Sequence, residues 1–310
     1  MTSIWYTPVQ NRFFENAHKS LSLPSTGSIE DPTSEASKLK LSWLDDLRMS
    51  LYLSDTNRHT ILLSPASNIP GEPTPCLFSG TVEQDKHSVV AVTGCKDSLE
   101  TAVTIASRLV PRGLVDLVII NGTTYSIKED TSSRMDRQLK EGDEDMCIPP
   151  ANPNSAQHHM AAGSAVPKQV VLKTYIRYDN TLLRKFGGSH TSTKQWLSRV
   201  VEMSKPRLVH SSLNTGIVLQ VLGELKHHHE DIQADAPTIY RLARNPTDRG
   251  LVSYFCSQIG NGIVGIAFLD AACRQDGYAV NINELYSSSN SEVKTARVWV
   301  HELGHNIGMR

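Results

Sequence analysis

The chain lacks any apolar stretch long enough to cross a bilayer. The best candidate, residues 109–120, is interrupted by Pro111, Arg112 and Asp116, whereas a membrane-spanning helix needs about 20 consecutive apolar residues. An excess of charge is missing too, because 31 Lys and Arg stand against 32 Asp and Glu, for a formal net charge of −1. The charge therefore gives no electrostatic reason to expect nucleic acid or an anionic membrane as a partner.

A secretory signal is also missing from the first residues, MTSIWYTPVQNRFF, which have neither a basic start nor a continuous apolar core. The sequence stops abruptly at Arg310. We therefore expect an incomplete gene model whose natural ends lie outside this sequence. Its 310 residues, 39% hydrophobic and 20% charged, are typical of a chain long enough for two domains.

Cysteine is scarce and odd in number, with five in the chain. Cys76 and Cys95 flank a stretch that has the pattern of two strands around a polar tip, so a disulfide could join the ends of that hairpin. Cys256 and Cys273 flank a second strand-rich stretch and could pair likewise. Cys147 is left alone in a polar loop.

The residue pattern divides the chain into three parts. Residues 1–127 alternate short apolar runs with turn residues, which predicts a mostly β domain. Residues 128–166 are rich in charged and small residues, contain several prolines and show no helical or strand period, which predicts a surface linker. Residues 167–310 alternate strand and helix patterns, which favours an α/β layer arrangement.

The last ten residues, HELGHNIGMR, carry the strongest chemical signal. His301 and His305 are four residues apart, so a helix places both imidazoles on one face, where they can bind a single Zn²⁺. Glu302 is offset in angle from both histidines, and we expect it to take a proton from a zinc-bound water. The small residues Gly304 and Gly308 allow the chain to pack closely and then to turn.

An H-E-x-x-H pattern alone also arises by chance on ordinary amphipathic helices, where the histidines have no metal. Three features favour the zinc interpretation: the glycine at the required offset, Asn306 before that glycine, and an apolar lead-in at residues 298–300. The longer metzincin form, H-E-x-x-H-x-x-G-x-x-H, places a third histidine at position 311, directly after the last residue of this sequence.

Several segments together resemble the reprolysin (adamalysin) metalloproteases, which include the ADAM and ADAMTS proteins. They are HELGHNIGM, GIVGIAFLDAAC, QVVLKTYIRYDNTLLRKFG and the cysteine-flanked CLFSGTVEQDKHSVVAVTGC. The resemblance implies a mostly β propeptide over residues 1–127 and a linker with a candidate latency cysteine over 128–166. Over residues 167–310 it implies a metzincin-like α/β catalytic domain, in which a twisted mixed sheet packs against helices and which is incomplete after the zinc helix.

The resemblance also implies roles for particular residues. His301 and His305 would bind one catalytic Zn²⁺, and Glu302 would act as general base in the hydrolysis of peptide bonds. An antiparallel edge strand would pair with an extended substrate by main-chain hydrogen bonds. That strand consists of Gly262, Ile263, Val264, Gly265, Ile266 and Ala267. The implied protein is a zymogen, extracellular or at the cell surface, that acts on proteins or peptides.

Cys147 gains a candidate role from the same resemblance. Such proteases are commonly held latent by a propeptide thiolate at the open zinc position, and Cys147 precedes the first catalytic strand at about the expected place. The family's usual neighbours, a basic residue before the cysteine and Gly-Val after it, are not here. An incidental loop thiol, or an unpaired remnant of a longer disulfide set, is therefore an equal alternative. Cys273 could pair with Cys256 or with a cysteine beyond the zinc helix.

Two further metal sites are open at the level of sequence. His227, His228 and His229 could bind a second metal, but a solvated loop is the simpler interpretation because three consecutive histidines cannot all face one ion without strain. Asp276 and Asn281 could join a structural Ca²⁺ site, although isolated acidic residues usually face water.

Two functions from different classes fit these observations. The first is a zinc endopeptidase. The alternative is a catalytically inactive, propeptide-bearing binding or inhibitory fragment, in which two histidines hold zinc weakly because a third ligand is missing. A third possibility keeps the fold and uses another closing ligand, such as a carboxylate. The identity of the residue at position 311 separates these interpretations.

Overall fold

The computed structural model describes residues 3–5, 39–66, 74–130, 169–209, 216–244, 250–257, 264–272, 279–285 and 291–309. The chain forms two compact units. The first comprises Met1–Ala66 and Pro75–Leu139, and the second comprises Ser67–Thr74 and Lys140–Arg310. The change from one unit to the other near residue 139 falls inside the stretch for which the sequence predicts a linker.

The first unit is built on an eight-stranded antiparallel sheet in which each strand pairs with the next along the chain. Its strands are β2 (Lys40–Asp45), β3 (Arg48–Tyr52), β4 (Arg58–Pro65), β5 (Leu77–Val82), β6 (Asp85–Thr93), β7 (Glu100–Ala106), β8 (Leu114–Ile120) and β9 (Thr123–Ser126). Two shorter strands, β1 (Ser3–Trp5) and β10 (Lys128–Asp130), pair with each other antiparallel. The prediction of a mostly β N-terminal half is therefore confirmed.

The large sheet nearly closes on itself. The Thr124 hydroxyl on β9 accepts a hydrogen bond from the Leu41 amide on β2 at 2.8 Å and donates one to the Leu41 carbonyl at 3.1 Å. Side chains alternate across each strand, so that Ile61 is fully buried while its neighbour Leu62 is exposed. The inward residues form one core, which includes Met49, Leu51, Val90, Val103 and Leu117.

A disulfide joins the outer ends of the β5–β6 hairpin. Cys76 and Cys95 are bonded, with their Cα atoms 4.8 Å apart. The Gly94 amide also donates to the Cys76 carbonyl at 2.8 Å. The predicted pairing of these two cysteines is therefore confirmed.

The second unit contains, within the described residues, a six-stranded sheet and four helices. The strands are β11 (Gln169–Tyr178), β12 (Gly216–Val221), β13 (Lys226–His227), β14 (Leu251–Cys256), β15 (Gly265–Ala267) and β16 (Val280–Glu284). The helices are α1 (Asn180–Lys185), α2 (His190–Leu208), α3 (Ala236–Arg244) and α4 (Ser291–Asn306). The predicted α/β character of residues 167–310 is confirmed at this level.

The sheet is mixed, with the order β12-β11-β14-β16-β15 and β13 paired to the end of β11. All neighbouring strands are parallel except β15, which runs antiparallel to β16. Strand β14, in the middle, is buried at every position, as expected of a parallel strand covered on both faces. None of the helices in the described ranges is long and apolar enough to cross a membrane.

Helix α4 packs against this sheet and against α2 through two tryptophans. Trp299 is fully buried, donates from its indole N–H to the Ser253 hydroxyl at 2.8 Å, and meets the Phe255 ring edge-on at 5.3 Å. Trp196 on α2 donates to the Ser291 hydroxyl at 3.1 Å, at the start of α4. These contacts fix the helix that carries the H-E-x-x-H sequence.

Two carboxyl groups are buried at the carboxyl ends of the parallel strands. Asp179, just after β11, caps α1 and accepts hydrogen bonds from the amides of Leu182 and Ile232, each at 2.8 Å. Glu284 ends β16 and is 1% exposed. Burial raises the pKa of Glu284 to about 7, and the nearby charges of Asp179 and Asp235 act in the same direction.

We expect the free energy of unfolding to depend less on pH in Glu284→Gln than in the parent chain. The pKa of this carboxyl rises from 4.5 in the unfolded chain to about 7 in the folded one. Its stabilising contribution is therefore complete below pH 4.5 and is lost as the pH rises through 7. At about 1.4 kcal/mol per pKa unit, the loss is on the order of 3 kcal/mol.

Urea unfolding of both proteins at pH 5 and pH 8 measures this effect. The free energy of unfolding of the parent chain should fall relative to that of Glu284→Gln between the two pH values. A constant difference would show that the Glu284 carboxyl does not titrate differently in the folded state.

Candidate metal centre

Helix α4 brings the two predicted zinc ligands together in its last two turns. The Nε2 atoms of His301 and His305 face each other at 2.8 Å, and the rings are nearly perpendicular, at 84°, with centroids 4.4 Å apart. Two nitrogens bound to one tetrahedral zinc are about 3.3 Å apart, so zinc would require the rings to separate by only about 0.5 Å. The two Nε2 atoms therefore lie close enough together for one ion to hold both after a small movement of the rings.

The main chain orients the His305 ring. Its Nδ1 lies 3.0 Å from the Met309 carbonyl oxygen. Because a carbonyl can only accept, Nδ1 carries the hydrogen and Nε2 keeps its lone pair for a metal.

Met309 reaches this position through the turn that ends α4. Gly308 has a φ of +89°, the Met309 amide donates to the Gly304 carbonyl, and the Gly308 amide donates to the His305 carbonyl, each at 2.9 Å. This is a Schellman cap, which favours glycine at the left-handed position. Gly308, the glycine at the required offset in the motif, thus turns the chain and so brings the Met309 carbonyl to His305.

Glu302 lies buried against strand β15, at 4% exposure. A Cβ atom added at Gly265 would lie only 2.8 Å from both Cδ and Cγ of Glu302. The missing side chain at Gly265 is therefore what leaves room for this carboxyl group. Burial raises the pKa of Glu302 to about 8, and a nearby cation would lower it again.

We expect Gly265→Ala to destabilise the second unit by about 1–3 kcal/mol, because a methyl group there overlaps a buried side chain. Thermal unfolding measures the change. The same substitution in a Glu302→Ala background provides the control, since the methyl group then has space. An equal loss of stability in both backgrounds would mean that Gly265 is needed for a reason other than room for Glu302.

Asn306, the last residue of α4, fastens the helix to the sheet. Its Nδ2 donates to the carbonyls of Phe268 and Val280 at 2.9 and 3.2 Å, and its Oδ1 accepts from Asn281 Nδ2 at 2.8 Å. Asn281 Oδ1 accepts in turn from Asn283 Nδ2 at 2.7 Å. All three asparagines are fully buried.

Sequence reasoning did not predict this chain of asparagines. The sequence indicates Asn306 only as part of the motif and Asn281 only as a candidate Ca²⁺ ligand. In the structure, both the Nδ2 and the Oδ1 atoms of Asn281 take part in the chain of hydrogen bonds. The signal was the alternation in VNINE, because residues two apart on a strand share a face. Asp276, the other Ca²⁺ candidate, lies outside the described residues.

We expect Asn306→Ala to cost about 2–5 kcal/mol of stability, because it removes three hydrogen bonds and leaves buried polar groups without partners. Asn180→Ala serves as the matched control. It removes hydrogen bonds that a partly exposed side chain makes to the His229 carbonyl and to the Asp231 carboxylate, and should cost about 1 kcal/mol or less. Chemical denaturation that gave the two variants equal stability would refute a fastening role for Asn306.

Strand β15 lies at the edge of the sheet, as predicted. It pairs antiparallel with β16, with Ile266 opposite Ile282, and no described strand pairs with its other edge. The Val264 carbonyl extends the pairing by accepting from the Glu284 amide at 2.8 Å. Gly262 and Ile263, the first two residues of the predicted strand, lie outside the described residues.

The remaining cysteine predictions are untested. Cys147 and Cys273 lie outside the described residues. Cys256 is buried at the end of β14, with its Sγ 3.8 Å from the Asn283 carbonyl oxygen. The latency role of Cys147 and the pairing of Cys256 with Cys273 therefore stay predictions.

The three consecutive histidines, His227, His228 and His229, point to two different sides of the chain. His227 and His229 face each other with ring centroids 4.5 Å apart, whereas His228 meets Tyr254 edge-on at 5.4 Å. His190, at the start of α2, stands with its ring centroid 5.2 Å from that of His227. Burial lowers the pKa of His227, and the neighbouring histidines lower it further. The sequence of residues 227–229 did not predict that the His190 ring lies beside His227.

In the described ranges, no three His, Cys, Asp or Glu side chains are arranged to hold one metal ion. His301 and His305 would supply only two of the three protein ligands that a catalytic zinc needs. The metzincin pattern places that ligand at position 311, beyond the printed sequence.

Comparisons with known proteins assign no family. No family model matches the chain, and no curated protein matches it. Among solved structures, a chaperone–substrate complex is similar with a TM-score of 0.35 and 12% sequence identity, over 66% of this chain and 27% of that one. This chain therefore spans about a quarter of the chain that it matches, and a likeness at that TM-score does not define a shared fold.

Proposed function

We propose that this chain is a zinc-dependent endopeptidase of the reprolysin type, with α4 as its catalytic helix. The observation that carries the proposal is the convergence of His301 Nε2 and His305 Nε2, 2.8 Å apart, on a helix that also buries Glu302. Convergent imidazoles with an adjacent carboxyl are the elements that metal-assisted hydrolysis needs.

His301 and His305 would hold the ion in this enzyme. A bound Zn²⁺ would supply a water of lowered pKa and would polarise the scissile carbonyl. Glu302 would take the proton of the attacking water and pass it to the leaving amine, because the bound cation would lower the pKa of this buried carboxyl and leave it ionised.

Strand β15 is the proposed substrate strand. Its open edge can take up an extended peptide as a further strand, by main-chain hydrogen bonds. The segment after β15 is bonded to the end of α4, because the Asp270 amide donates to the His305 carbonyl at 2.8 Å. The proposed substrate strand and the helix that carries the proposed metal ligands are therefore linked by a main-chain hydrogen bond.

The rest of the proposal concerns latency and location. Residues 1–127 would form a propeptide, and Cys147 would block the zinc until the propeptide is removed. We place the protein outside the cell or at its surface. The disulfide between Cys76 and Cys95 supports this location, because structural disulfides persist in oxidising compartments.

The alternative function is an inactive binding or inhibitory fragment. It is favoured by one observation, that the described residues supply only two zinc ligands at α4. Zinc held by two protein ligands binds weakly, and the site would not support hydrolysis.

Zinc binding is the first test of the proposal. In a His190→Ala/His229→Ala background, which weakens the other histidine group, the chain should bind zinc in a way that His301→Ala or His305→Ala abolishes. A histidine appended after Arg310 should tighten the binding, since it supplies the missing third ligand. Calorimetric titration that gave no dependence on His301 or His305 would end the zinc interpretation.

Peptide cleavage is the second test, in the zinc-loaded chain with the appended histidine and with Cys147→Ser, which removes the proposed latency thiol. Glu302→Gln should keep the zinc and lower the cleavage of an unfolded protein substrate by about 10²–10⁴-fold. Zinc binding without any Glu302-dependent cleavage would instead support the inactive fragment.

A further inference from the structure

We propose that His190, His227 and His229 form a second metal site, which binds a divalent transition metal such as Zn²⁺ or Cu²⁺ through three imidazoles. This site is separate from the α4 pair and does not depend on peptidase activity. Neutral imidazole is a ligand that suits zinc, copper and nickel.

The His227–His229 pair repeats the geometry of the α4 pair. The ring centroids are 4.5 Å apart at an interplanar angle of 75°, compared with 4.4 Å and 84° for His301 and His305. His190 and His227 are also close to perpendicular, at 68°, with centroids 5.2 Å apart. Two imidazoles on one tetrahedral zinc have centroids about 5 Å apart, which is close to both of these separations.

Tyr178 selects which nitrogen of His190 is available. The Tyr178 hydroxyl lies 2.7 Å from His190 Nδ1, which leaves Nε2 as the ligating atom. A hydrogen bond to the other ring nitrogen is the usual companion of a metal-bound histidine. The Tyr178 ring also stacks on His227, with centroids 5.4 Å apart at 29°. One buried tyrosine therefore positions two of the three proposed ligands.

His227 combines an unpartnered nitrogen with neighbouring imidazoles. Its Nε2 is buried and has no hydrogen-bond partner among the described residues, as is also true of His228 Nε2, but His227 in addition has the ring centroids of His190 and His229 at 5.2 and 4.5 Å from its own. A buried polar atom without a partner costs free energy, and a bound metal ion would satisfy the lone pair of this nitrogen.

The backbone beneath the three rings is fixed. His227 ends β13, which pairs with β11, and the carbonyl of His229 accepts from Asn180 Nδ2 at 2.7 Å. His190 begins α2, which Ser189 caps by accepting from the Ser192 amide. Ligands on such supports lose little freedom when they bind an ion.

The side chains still have to close around the ion. No three ligand groups surround one point in the described conformation. His229 is exposed, however, and rotation of an exposed histidine about its broad χ2 torsion costs little. This ring can therefore turn towards the half-buried His227, while Tyr178 holds His190 in place.

Metal titration of the full chain tests the site, in a His301→Ala/His305→Ala background that removes the α4 pair. Calorimetry with Zn²⁺ and with Cu²⁺ should give one ion per chain. His190→Ala and His229→Ala should each weaken binding about tenfold or more, the size of effect known for perturbed metal sites. His228→Ala is the matched control, because His228 comes from the same tract and packs on Tyr254 instead, and it should leave binding unchanged.

Two results would overturn the proposal. An equal loss in His228→Ala and His229→Ala would indicate an unstructured tract that captures metal by any two of its rings. Binding that is unchanged in both His190→Ala and His229→Ala would place the ion elsewhere. The electron paramagnetic resonance spectrum of bound Cu²⁺ gives an independent readout, since it should show coupling to three nitrogens. Because every protein lacks His301 and His305, the result is independent of the peptidase proposal.

Discussion

The candidate centre depends on the buried hydrogen bonds that join the end of α4 to the sheet. The last carbonyls of a helix have no partner within the helix and usually turn to water. Here the amides of Ala271 and Ala272 donate to the Asn306 carbonyl at 2.8 Å each, and the Asp270 amide donates to the His305 carbonyl. The Asn306 side chain adds bonds to Phe268 and Val280 from the other direction. The imidazole pair therefore takes its rigidity from the sheet and from the cap behind it.

Two glycines serve this centre in different physical ways. Gly308 is needed for its backbone, which adopts a φ of +89° to form the cap that orients His305. Gly265 is needed for its missing side chain, because any Cβ would collide with the buried Glu302. The first requirement belongs to a local turn and is visible in the motif spacing. The second joins residues 37 positions apart and arises only once β15 lies against α4.

The same distinction between local and distant contacts explains what the sequence could predict. Spacing along the chain was sufficient for the His301–His305 pair, the strand pattern for the hairpin closed by Cys76 and Cys95, and the alternation of elements for the α/β unit. It was not sufficient for the closure of the large sheet at Thr124, which involves residues 83 apart, or for the asparagine chain between β16 and α4. Such contacts depend on topology, and no periodicity encodes them.

The two histidine groups show that imidazole geometry alone does not define a function. Both pairs have perpendicular rings at about the same separation. The α4 pair has the buried Glu302 beside it, against the edge strand β15. Near the other group, the buried carboxyl of Asp179 is already bound by the amides of Leu182 and Ile232. Glu230 is held there by Arg241, and such a pairing keeps a carboxylate ionised and poorly suited to accept a proton. The surroundings therefore match the two proposals, hydrolysis at α4 and plain metal binding at the His227 group.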